Sequence, residues 1–94
     1  MNDYEAVFII KSDLKESELE SVYKAIADSL AKNKATLTKE ERWGRKEFAY
    51  RIKKAKEGVY YKVNFQSPPE AISSLKETYS LNTDILRVAI TRKR

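Results

Sequence analysis

The sequence predicts an α+β sandwich: a four-stranded antiparallel sheet with two helices packed on one face. Three observations predict it. Apolar residues alternate with polar ones over residues 59–65 and 86–91, the period of a strand with one side against a core. They recur in steps of three and four at Leu19, Val22, Tyr23, Ile26 and Leu30, and more briefly at Ile72, Leu75 and Tyr79. That is the period of a helix with one buried stripe. Finally, the segments succeed one another as strand, helix, strand, strand, helix, strand.

Residues 4–10 are rich in β-branched and aromatic types, and their nearly continuous apolar run suits a central strand buried partly on both faces. In the helix that follows, Asp13 with Glu16, or Ser17 with Glu20, offers a capping pair for the first turn. Acids gather at its front and lysines at its back, as the helix dipole favours. Asn33 is the expected stop, because it tolerates the left-handed conformation. Residues 35–52 then read as a long, irregular strand. Phe48, Tyr50 and Ile52 alternate cleanly, but Trp43 has the opposite parity and reaches their face only past an extra residue. Gly44 is the natural site for such a bulge. Residues 53–58 form a basic hairpin tip, with Gly58 supplying the turn's freedom. Pro69 suits the first turn of the second helix, and Thr83 or Asp84 turns the chain into the last strand. Two right-handed crossovers make this a ferredoxin-like sandwich with strands in the spatial order fourth, first, third, second. The whole chain, residues 1–94, is one domain.

Length and composition narrow the function. Ninety-four residues bury one small core and leave little room for an enclosed active site. There is no His and no Cys, which removes disulfides, zinc fingers, thiol catalysis and His-dependent bases. No apolar run approaches a membrane span, and the start lacks the features of a signal peptide, so a soluble cytosolic chain is expected. The net charge is +5 and unevenly placed. Residues 1–41 hold six lysines against nine acids, whereas residues 42–94 hold thirteen basic residues against five acids. Between residues 42 and 56 Arg42, Arg45, Lys46, Arg51, Lys53, Lys54 and Lys56 face Glu47 alone, interrupted by Trp43, Phe48, Tyr50 and Ile52.

Catalysis has little support in these residues. Glu40 and Glu41 are neighbours on a strand and point to opposite faces, so they do not converge as acid and base. A phosphate-cradling loop needs several glycines, and the chain has two, in separate hairpin contexts. Nucleic-acid binding is better supplied. Tyr60, Lys62 and Asn64 on the third strand, and Arg87, Ala89 and Thr91 on the last, alternate with the core set and belong to the open face of the sheet. Such a surface suits RNA, with cations on phosphates and aromatics on unpaired bases; ordinary sheet decoration is the alternative for Tyr60 and Lys62. The third-strand signature of the RNA-recognition motif is missed at five of eight positions over residues 57–64. A generic single-strand RNA module and a protein-only interaction module therefore stand as alternatives to a structured-RNA binder.

The segment Gly44-Arg45-Lys46-Glu47-Phe48-Ala49-Tyr50-Arg51-Ile52-Lys53 resembles the central motif of the bacterial small-subunit ribosomal protein S-six family. Tyr4-Glu5 near the start and Arg87-Val88 near the end also sit where that family has them, so the likeness spans the chain. Phe48 stands where Leu is usual, and the sequence stops at Arg94 without the acidic tail of some members. The resemblance implies the same fold, no catalysis, no cofactor and no small-molecule substrate. It implies a cytoplasmic, ribosomal role: binding small-subunit ribosomal RNA at a junction in the central domain (the platform), paired with ribosomal protein S-eighteen. Carried over residue by residue, it implies RNA contact at Tyr4, Lys54, Lys56, Arg87 and Arg92. It implies a protein-partner interface at Arg45, Phe48 and Tyr50, with packing under the hairpin as the other reading of the two aromatics. Strand alternation independently puts Arg87 on a non-core face.

Overall fold

The computed structural model describes residues 1–52 and 55–93, the side chains of residues 49–52 excepted. The elements are β1 (Asn2–Lys11), α1 (Glu16–Lys32), β2 (Thr36–Ile52), β3 (Ala55–Ser67), α2 (Ala71–Ser80) and β4 (Ile85–Arg92). The sheet runs β2-β3-β1-β4 with every pair antiparallel, the expected order read from the other edge.

Period-2 alternation places the core. Tyr4, Ala6, Phe8 and Ile10 of β1 and Val59, Tyr61, Val63 and Phe65 of β3 face the helices. Val22, Tyr23, Ile26 and Leu30 of α1 and Leu75 and Tyr79 of α2 cover them, with Ile85, Val88 and Ile90 of β4 closing one side. An aromatic chain ties the layers: Tyr23 to Tyr61 at 4.5 Å between ring centroids, Tyr61 to Phe8 at 6.0 Å, and Phe8 edge-on to Tyr79 at 4.8 Å. Each such pair contributes about 0.5–1.5 kcal/mol beyond its buried area. The Tyr79 hydroxyl meets Ser29 Oγ at 2.7 Å, so the buried phenol of α2 is satisfied by α1.

The helix ends differ from expectation. Lys15 is the N-cap of α1, and its backbone N–H donates to Glu18 Oε1 at 2.9 Å; neither Asp13 nor Ser17 caps the helix. Asn33 does end it, but the left-handed residue is Lys34, at φ 62°. Ala35 N–H donates to Leu30 O at 2.9 Å and Lys34 N–H to Ala31 O at 3.2 Å, the paired bonds of a Schellman cap. Burial of Leu30 and Ala35 fixes that geometry and forces the lysine into the conformation usually given to glycine. Pro69 also lies outside its helix, since Glu70 is the N-cap of α2. Asn82 shapes the last turn: its Oδ1 accepts from Asp84 N–H at 2.9 Å.

The bulge in β2 is where the parity of Trp43 requires it. Arg42 pairs with Tyr61 and Gly44 with Tyr60, leaving Trp43 as the extra residue beside Gly44 at φ 81°. A second irregularity, at Thr38, has no such signal in the sequence. Gly58 is not a turn residue. It lies within β3, opposite Lys11 and Lys46, and the strand already begins at Ala55. Its need is space: a Cβ there would meet Ile9 Cγ2 at 2.6 Å and Phe48 Cζ at 2.8 Å.

Candidate nucleic-acid interface

The face of the sheet away from the helices divides into two halves. Near the start of β1 it is polar and self-paired. Lys62 Nζ lies 2.6 Å from Glu5 Oε1 and 3.5 Å from Glu41 Oε2. The bond from Lys62 holds the Glu5 carboxyl below its usual range, and the same bond holds the Lys62 ammonium above its own. Lys62, expected on the open face, is there but neutralised.

Toward the hairpin the face changes character. Ile9 and Leu86 are buried outside the main core, and Leu86 is the extra residue of a bulge, since Ile9 pairs with Arg87 but Ile10 with Ile85. Phe48 lies against Gly58 and reaches Tyr60, with 6.2 Å between ring centroids. Trp43 stacks on Tyr60 at 6.4 Å and 13° and remains 43 % exposed. Lys46 Nζ sits 5.2 Å from the Trp43 centroid and 5.8 Å from that of Tyr60. Arg87 joins this corner beside Ile9, and Lys11 and Lys56 line a cleft next to it with Leu86. Asp13 and Glu57 share that cleft, yet among the described residues no carboxylate comes within ion-pair distance of Lys11, Lys46, Lys56 or Arg87.

The residues expected at the RNA surface are therefore not one patch. Arg87 and Lys56 are exposed at the hairpin end of the open face. Arg92 is exposed at the opposite end of β4, as the register partner of Tyr4, which faces the helices. Arg92 lies five positions after Arg87, roughly 17 Å of strand and an odd step, so they point to opposite faces. Tyr4 is a correction to the expected set. Its ring is 6 % exposed and stacks on Phe65 at 5.6 Å, which leaves it no face for a base. Asn2 joins its hydroxyl to the Arg92 guanidinium through two 3.4 Å contacts. Lys54 lies outside the described residues. Of the expected partner residues, Phe48 packs over Gly58 within the sheet, and Arg45 Nη2 donates to Ser12 O at 2.8 Å from the helix-side face of β2. The Tyr50 side chain is outside the described residues. Sequence reasoning named Lys46 only within the basic run and did not single out Lys11; the parity of Lys11 with Ile9, two residues earlier, was the available signal for its place on this face.

A profile of the family described as Ribosomal protein S6 matches residues 3–92. The chain belongs to that family. A small ribosomal subunit protein bS6 from Desulforamulus reducens is 32 % identical over 93 residues, covering 99 % of this chain and 98 % of its own length. A bS6 from Paramagnetospirillum magneticum is 30 % identical over 92 residues; this chain spans 64 % of that longer relative. The crystal structure of 30S ribosomal protein S6 from Thermotoga maritima superposes with a TM-score of 0.93 at 30 % identity, covering 98 % of this chain and 87 % of that one. The S6 family is one of structural, non-enzymatic proteins of the small ribosomal subunit, and its fold is the one observed here.

Proposed function

We propose that this S6-family chain is an assembly protein of the bacterial cytoplasmic ribosome, binding small-subunit ribosomal RNA in the central domain together with ribosomal protein S-eighteen. The observation that carries the RNA contact is the group of cations at the hairpin end of the open face, Lys11, Lys46, Lys56 and Arg87, none in an ion pair with a described carboxylate. Fixed cations on a rigid sheet position phosphates and release counterions. Arg92 and Lys93, exposed at the far end of β4, extend the reach toward a second stretch of backbone. A folded RNA with two arms matches two separated clusters better than one straight strand does.

The partner protein is proposed to dock along the outer edge of β2. That edge strand is 17 residues long, with Arg45 on the helix side and Phe48 on the open side. A chain running along the edge touches both, whereas a partner lying on either face meets only one. Two modest contacts, one to RNA and one to a protein that itself holds RNA, add through linkage.

Pull-down of the chain from bacterial lysate, with and without ribonuclease, tests the reading. Ribonuclease-sensitive recovery of small subunits, with S-eighteen retained after digestion, is expected. Recovery unaffected by ribonuclease and lacking S-eighteen would overturn it.

A further inference from the structure

We propose that the Trp43–Tyr60 pair is a stacking platform for one unpaired RNA base, with Lys46 and Arg87 receiving the flanking phosphates; the inference rests on the RNA-binding reading above. Three features point to that occupant. The two rings are nearly parallel, 13° apart, and Trp43 keeps 43 % of its surface exposed, with the flexible Lys46 ammonium resting over it at 5.2 Å, where a base can displace it. The backbone holds the ring there by design of the strand: Trp43 is the extra residue of the bulge, and Gly44 takes a positive φ to make that bulge possible. At the rings themselves the surface is filled, because Phe48 already occupies the space over Gly58 against the buried Ile9; the cleft lined by Leu86 lies to one side.

A π surface with Lys46 against it and Arg87 two strands across, beyond Ile9, complements a nucleotide strand, whose planar base is flanked by anionic backbone phosphates. A protein anchor residue instead seeks a concave pocket, and the concavity nearby is the cleft beside Leu86, not the space over Gly58 that Phe48 fills. Lys62 also approaches the Trp43 ring, at 5.7 Å, but Glu5 and Glu41 hold it, so Lys46 is the cation left for phosphate on this side.

Trp43 is the only tryptophan in the chain, which makes its fluorescence a direct reporter. The full chain is titrated with a short oligoadenylate RNA and with an abasic ribose-phosphate strand of equal length and charge. Oligoadenylate is expected to quench Trp43 and to bind about tenfold more tightly than the abasic strand. Trp43→Leu is expected to lose that difference, and Trp43→Phe to keep most of it, with melting curves confirming that both variants fold. Equal binding by the two strands, or equal behaviour of the two variants, overturns the inference. So does emission that changes only on adding ribosomal protein S-eighteen, which marks a protein contact. A folded central-domain RNA fragment separates the two readings: if it still binds with a steep salt dependence, only the stacking site falls, and if it does not bind, both do.

Discussion

The ring of Phe48 on β2 lies against the bare Cα of Gly58 on β3, and Ile9 closes on the same glycine from β1. A methyl group at position 58 would stand 2.8 Å from Phe48 Cζ and 2.6 Å from Ile9 Cγ2, with Ile10 O at 3.2 Å. The Phe48 ring is half-buried and can yield; Ile9 and the Ile10 carbonyl, held in the central strand, cannot. Gly58→Ala is therefore expected to destabilise the fold by about 1–3 kcal/mol, read from urea unfolding midpoints. Adding Phe48→Ala should relieve only part of that cost, and a double-mutant cycle shows how much of it belongs to the ring.

Gly44 is the opposite case. Nothing lies within 4 Å of a Cβ built there, but its φ of 81° penalises any L side chain. Gly44→Ala is expected to cost about 1–2 kcal/mol through the backbone alone. Lys34 carries the same strain in reverse, at φ 62° in a helix cap. Lys34→Gly should raise stability by about 0.5–1 kcal/mol, seen as a higher denaturant midpoint with an unchanged slope.

The Glu5–Lys62 pair sets a pH dependence whose sign follows from the two shifts. A carboxyl lowered in the fold stabilises above its ordinary value of 4.5, and that stability fades as pH falls through the folded value. An ammonium raised in the fold stabilises below its ordinary 10.5, and that stability fades as pH rises past it. Glu5→Gln should flatten both limbs. The change is small because both groups are partly exposed, so it is best read as a difference in unfolding midpoints between about pH 2 and 6 and again above about pH 10.

Arg87 and Arg92 act at separate places in the proposed interface. Removing each cation that meets a phosphate should lower the slope of log affinity against log salt by about 0.9. Arg87→Ala with Arg92→Ala is expected to weaken binding to ribosomal RNA and flatten that slope by the two contributions together. The melting temperature should hold, since both side chains are exposed and no carboxylate pairs with either among the described residues. A slope unchanged in the double variant removes both from the RNA contact.

Sequence alone determined the element order, the sheet order, the helix-facing residues of β3, and the bulge at Gly44. The sheet order follows from the handedness of the two crossovers, and the others follow from periodicity, a local property that survives any tertiary arrangement keeping one face dry. It also carried a signal left unused: an odd separation puts Arg87 and Arg92 on opposite faces. Other features were settled only by the assembled chain. Gly58 needed its three neighbours in place before its role as a close approach, and not a turn, was visible. Lys34 takes the left-handed position because Leu30 and Ala35 are buried on either side of the cap, which outweighs the preference of Asn33. Lys62 is a free cation by its position in β3 and a neutralised one by the register that sets Glu5 and Glu41 beside it. Tyr4 reads as an aromatic at the end of a strand, and only packing against Phe65 turns it inward. Pairing and burial depend on which strands lie side by side, and that is decided by the whole sheet at once.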